Sequence, residues 1–119
     1  MPDPAIAHLF GEIKTTVVGI ATKDGTAIAS FADAQLERLA KHAVLLKKAA
    51  LAGAFEDVAD AEHFADELVV MTRDFVLALG GLALVTIEKI WNAVVKIVWG
   101  AINTAMGALG PLPLPQFNP

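Results

Sequence analysis

The chain has 119 residues, of which 55% are apolar and 18% charged, and its formal net charge is -4. That length favours one domain or an elongated assembly subunit, and the charged share falls below the about 25% usual for soluble domains. The apolar balance excludes disorder over the whole length. The absence of Cys excludes a disulfide scaffold, a thiol catalyst, a zinc finger and an iron–sulfur site, and the acidic excess argues against a nucleic-acid partner.

The supply of catalytic side chains is thin. Tyr is absent, Ser30 is the only serine, and Arg38 and Arg73 are the only arginines. The glycines lack both the phosphate-loop and the dinucleotide spacing. No enzyme activity and no cofactor are expected.

In chain order, Asp3 and Pro4 signal a first helix, because Asp accepts from free first-turn N–H groups and Pro gives up an N–H that has no partner. Ile6, Leu9, Phe10, Ile13 and Val17 follow at helical spacing. The start shows neither a basic region nor an apolar core of signal-peptide length, so secretion is not expected. An intracellular setting or an assembled particle is favoured over an extracellular one. Residues 1–30 form an N-terminal helix and turn, with two readings for 16–30. Lys23-Asp24-Gly25 between apolar runs suits a β-hairpin. It also suits a helix ending near Thr22 and a new one capped by Thr26. The second reading is preferred, since a lone hairpin is marginal in water and no third strand is in view.

Residues 31–74 predict an amphipathic helical hairpin. Ala32, Leu36, Leu39, Ala43, Leu46 and Ala50 fall at a/d spacing in its first arm. Glu37 precedes Lys41 by four residues, Lys47 and Lys48 suit the helix end, and Gly53 supplies the permissive residue beyond it. Ser30, three residues before Asp33, is read as a helix-start residue rather than a nucleophile. The second arm starts near Phe55, with Glu56 and Asp57 in its electropositive first turn. Its a/d line is Val58, Ala61, Ala65, Leu68, Thr72, Phe75, Leu79 and Leu82. The first arm is basic, and the second carries seven acids over 54–74 against Arg73, so charge matching is expected to help set the pairing.

Residues 75–109 predict an apolar helix, undecided as to a break at Gly80-Gly81. Wound at about 100° per residue, Glu88, Asn92, Lys96, Trp99 and Asn103 share one arc. Nearly everything else is apolar, more than an ordinary surface helix buries. Neighbouring copies, a larger complex or lipid are therefore expected on most sides. Leu79, Leu82, Ile90, Trp91, Val94 and Val98 are the expected interface, and Glu88, Asn92, Lys96 and Asn103 the polar stripe. Residues 110–119 alternate proline with other residues and predict an extended strap. Leu112, Leu114 and Phe117 are expected to lie on a neighbour, because no charged residue occurs from 97 onward.

The fold expectation is therefore all-α: an antiparallel helical hairpin running into a long apolar helix with a Pro-rich strap, in an oligomeric bundle. The functional expectation is a non-enzymatic structural protein that associates with itself or with a larger assembly. The alternative is a membrane-inserting helix bundle. In gross outline small lysis pores and internal virion proteins look similar, without a shared motif, and the charge-free C-terminal region departs from the basic tail of lysis pores. The uninterrupted apolar run Phe75–Ile87 is short for a bilayer span. A lesser alternative is a metal- or ligand-binding bundle. Asp60, His63 and Glu67 share one helical face, His42 can approach across the hairpin, and Glu62 and Asp66 form a second carboxylate pair. The second Glu-x-x-His pair of di-iron bundles is missing, so no metal is expected.

Overall fold

A computed structural model of the chain describes residues 3–28 and 32–117, and every regular element among them is helical. Helix α1 spans Pro4–Lys23. The Asp3 carboxylate accepts the Ala5 N–H at 2.9 Å, and Pro4 occupies the first turn. Leu9, Ile13, Val17 and Ala21, spaced by four, form its buried line. The helix runs unbroken through residues 16–23, so the hairpin alternative is not formed. Gly25, at φ 73°, ends a helix instead, with the Thr26 N–H reaching back to the Ala21 carbonyl at 2.9 Å. Thr26 does not open a new helix. The proposed start at Ser30 lies outside the described residues.

Helix α2 spans Asp33–Leu51 and follows Ala32, which takes φ 57° and makes no side-chain cap. Its buried face is Leu36, Leu39, Ala40, Ala43, Val44, Leu46 and Ala50, the a/d line with two neighbours. Gly53, at φ 73°, closes it as a C-terminal turn. Helix α3 spans Val58–Ala78. Asp57 accepts the Asp60 N–H at 2.8 Å, and the Asp60 carboxylate accepts the Glu56 N–H at 3.1 Å. Two backbone N–H groups at the helix start are thus satisfied by side chains.

The apolar stretch beyond residue 75 is not one helix. Residues 75–78 finish α3, Leu79 is extended, and Gly81 takes φ 81°. Helix α4 then spans Leu84–Met106, followed by a single 3-10 turn at Gly107–Leu109. Gly80-Gly81 permits the break, and the break lets α4 fold back against α2 and α3.

Helices α2 and α4 form the centre, each packed against the other three, while α1 and α3 flank them. The body measures 44 × 34 × 19 Å, so its thin direction is about two helix diameters. This arrangement covers α4 from within one chain. Ile90, Trp91, Val94, Val95, Val98, Trp99 and Ile102 are each at most 2% exposed. Three helices and the strap thus cover these seven residues within one chain, while Leu84 and Val85 at the start of α4 stay largely exposed, at 58% and 61%. Among the described residues no helix is long and apolar enough to cross a membrane.

The ion pairs between elements run from α1 to its neighbours. Lys14 meets Asp33 at 3.3 Å, Lys48 pairs with Asp3, and Lys89 meets Asp24 at 3.0 Å. Among the described residues none joins α2 to α3. Pairing of the two arms rests on the buried leucines, alanines and Phe75, since exposed ion pairs contribute about 0–1 kcal/mol each.

Candidate functional site

The most built feature of the surface is the groove holding residues 110–117. Prolines 111, 113 and 115 fix φ and remove backbone donors, so this segment cannot join a helix. Gly107 (φ 57°) and Gly110 (φ 91°) turn the chain back at the end of α4. The segment then runs against α4 toward that helix's start.

Two polar side chains of α4 read its backbone. Asn103 Nδ2 donates to the Leu112 carbonyl at 3.2 Å, and the Leu112 N–H donates to Asn103 Oδ1 at 2.7 Å. Twelve residues earlier on α4, the Trp91 indole N–H donates to the Pro115 carbonyl at 3.2 Å. Apolar contacts complete the hold. Leu112 is 2% exposed, and the Phe117 ring lies 5.6 Å from the Trp91 ring at a tilt of 50°. Glu62, Ala65, Asp66 and Val69 of α3, with Trp99 of α4, line a cleft of about 160 Å³ beside Leu112–Pro115. An aromatic wall with an indole donor and a carboxamide clamp is chemistry that recognises an extended, proline-rich backbone.

The residues expected to meet a neighbour are distributed differently. Leu79, Ile90, Trp91, Val94, Val98 and Leu112 are buried inside one chain. Leu82 and Phe117 are half-buried, and only Leu114 is largely exposed, at 48%. Of the polar stripe, Glu88, Asn92 and Lys96 face outward, whereas half-buried Asn103 serves the strap. Trp99, placed by periodicity among the polar residues, is buried. Its cover comes from α3 and the strap.

One tie joins residues far apart in the sequence. The buried Thr86 hydroxyl donates to Asp24 Oδ2 at 2.7 Å, and Lys89 Nζ reaches both oxygens of that carboxylate at 3.0 and 3.2 Å. The Thr86 and Lys89 hydrogen bonds hold the Asp24 carboxyl below the usual aspartate range. The Lys48 ammonium, helped by the Ala5 N–H, does the same for Asp3. Thr86, a lone hydroxyl in an apolar run, was the available signal; its partner is 62 residues away.

Other concavities mark the surface. A cleft of about 670 Å³ between α1, α2 and α4 is lined in part by small residues, among them Ala5, Ala43, Ala93 and Gly100. Its rim carries Lys47, Lys96 and the exposed pair His8–Glu12, separated by 3.7 Å. A second, apolar pocket of about 350 Å³ lies between α2 and α3, lined by His42, Leu45, Leu46, Ala49, Ala54, Phe55 and Phe64. His42 Nε2 is buried there without a hydrogen-bond partner. Among the described residues no three His, Asp or Glu side chains come together as a metal cage. Asp60 is engaged at the start of α3, and His63 stands edge-on to Phe64.

Compared with known proteins, the chain matches no family model, and no curated protein or solved structure is significantly similar to it.

Proposed function

We propose that the protein is a non-enzymatic assembly protein whose copies associate with one another, with the proline-rich segment and its groove as the recognition device. The observation that carries this reading is the backbone-directed hold on residues 110–117 by Trp91 and Asn103. Recognition of that kind is a protein–protein chemistry, built from hydrogen bonds to main-chain groups and pockets for alternate side chains. The wholly uncharged stretch from 97 to 119 supports it, as does the exposed Leu114 at the strap's outer face. The core of α4 serves the fold of the single chain, so the reading assigns association to the strap region and not to Ile90, Val94 or Val98.

The test is the mass in solution by light scattering, from about 10 µM to about 1 mM, the range in which weak linked contacts populate. An associating protein shows a mass rising above 12.5 kDa, and Leu114→Asp lowers that rise without unfolding the helices. A single mass of 12.5 kDa across the range overturns the reading.

A further inference from the structure

We infer that the groove of one copy accepts residues 110–117 of a second copy, so that association proceeds by reciprocal exchange of this segment. The inference rests on the assembly reading above and supplies its partner and its mode. Its basis is that the hydrogen bonds Trp91 and Asn103 make to the segment join separate parts of the chain connected through a short glycine-containing turn, which is itself closed by the Gly110 N–H on the Gly107 carbonyl at 3.2 Å. Trp91 and Asn103 lie in α4; the Pro115 carbonyl and both Leu112 backbone groups lie beyond Gly110. A segment supplied by another copy presents the same carbonyls, the same N–H and the same leucine to the same groove.

The connection suits such an exchange. Gly107 and Gly110 both sit at positive φ, and a side chain at Gly107 would meet nothing within 4 Å. The turn is therefore open at Gly107, while a side chain at Gly110 would meet Val58 Cγ2 at 3.9 Å; both glycines reach many backbone conformations. Residues 110–117 carry no charge, so transfer between two acidic bodies brings no added repulsion from the segment itself. In an extended proline-rich conformation, eight residues reach about 25 Å, more than the 19 Å thin dimension of the body.

Exchange replaces like with like, so concentration decides the outcome. In one chain the segment faces its own groove at an effective concentration of about millimolar order, set by the short connection. The closed monomer dominates in dilute solution. The exchanged form gains as the protein concentration approaches that level, as it does inside a packed assembly.

Two complementary variants test this on the full chain. Asn103→Ala weakens the groove and leaves the segment intact. Leu112→Asp spoils the segment and leaves the groove intact. Each is first checked by far-UV circular dichroism for retained helix, and Phe117→Asp replaces Leu112→Asp if the latter does not fold. Light scattering then follows each variant alone and an equimolar mixture, up to about 1 mM. Closed and exchanged forms share the same contacts, so the effect is read where the substitution releases the segment, seen as a red shift of the emission of Trp91 and Trp99. If the single change does not release it, Leu112→Asp is combined with Phe117→Asp, and Asn103→Ala with Trp91→Phe, which removes the indole donor and leaves Trp99 as the reporter. Each such variant alone then shows at least a five-fold smaller dimer fraction than wild type, and the mixture recovers dimer. That dimer contains one copy of each variant, because only one intact groove and one intact segment are available. A folded mixture that stays monomeric while wild type associates overturns the exchange and leaves the assembly reading standing. Variants that release the segment and yet dimerise as wild type does also overturn it, since association then bypasses the groove. Wild type that stays monomeric throughout removes both.

Discussion

Asn103 grips the Leu112 peptide on both sides, donating to its carbonyl and accepting from its N–H across 3.2 and 2.7 Å. A carboxamide is the side chain that can do both at once. Asn103→Ala leaves a half-buried N–H and carbonyl without this partner, and the expected loss of stability is about 1–3 kcal/mol. Asn103→Asp keeps the acceptor and loses the donor, so it falls between wild type and the alanine variant near neutral pH. Urea denaturation followed by circular dichroism measures both. Equal midpoints for all three proteins would refute the clamp.

Leu112 is the strap's buried anchor, and truncating it removes apolar area and leaves a void against α3 and α4. Leu112→Ala is expected to lower stability by about 2–3 kcal/mol, the lower part of the core range, because a terminal segment relaxes more readily than a helix. Leu114→Ala, at a largely exposed position, is expected within about 0.5 kcal/mol of wild type. Thermal melts of the pair give the comparison.

The glycines divide into two groups with opposite responses. Gly11 and Gly19 lie inside α1, and a side chain at either would meet nothing within 4 Å. Gly11→Ala and Gly19→Ala each raise stability by about 0.5–1 kcal/mol, through helix propensity and reduced freedom of the unfolded chain. Gly53 sits at φ 73°. Gly53→Ala places a side chain in the left-handed region and lowers stability by about 1 kcal/mol. Melting temperatures moving the same way for all three would contradict this backbone geometry.

Acid sensitivity is set at the two ends of α1. Asp24 is held below the usual carboxylate range by Thr86 and then Lys89, and Asp3 by Lys48 and then the Ala5 N–H. A carboxyl with a depressed folded-state pKa binds fewer protons folded than unfolded at mildly acidic pH. Its stabilisation is present above the unfolded aspartate value and is lost as pH falls through the lower folded value. The melting temperature therefore falls as pH drops below the ordinary aspartate range. Asp24→Asn starts lower at pH 7 and shows a shallower acid limb. An unchanged limb in both Asp24→Asn and Asp3→Asn would show that these ties carry no linkage.

Local patterns in the sequence carried most of the helix assignment. In α2 the leucines and alanines at a/d spacing are the residues found buried, because one amphipathic helix with one apolar face allows one way to pack. The Asp24-Gly25 pair was ambiguous for a physical reason: a glycine at positive φ serves a hairpin turn and a helix end equally. The buried line Leu9–Ile13–Val17–Ala21 decides between them, and only once α2 and α4 are present to receive it. The polar arc of α4 was legible in part. Glu88, Asn92 and Lys96 face outward as the winding implies. Trp99 and Asn103 do not, because the strap crosses them, and nothing local ties Leu112 to Asn103 or Pro115 to Trp91. The same holds for Asp24 and Thr86. The apolar excess of α4 was plain, but what covers it is a tertiary question that composition answers too readily with copies or lipid.

The chain has two tryptophans, and both are buried next to the strap. Their intrinsic fluorescence is therefore a reporter of where residues 110–117 lie. With the segment seated, both indoles emit from a dry environment. Lifting it wets them, whereas the far-ultraviolet signal reports the helices alone. Opening of the strap and melting of the bundle can thus be followed as separate optical events in unlabelled protein.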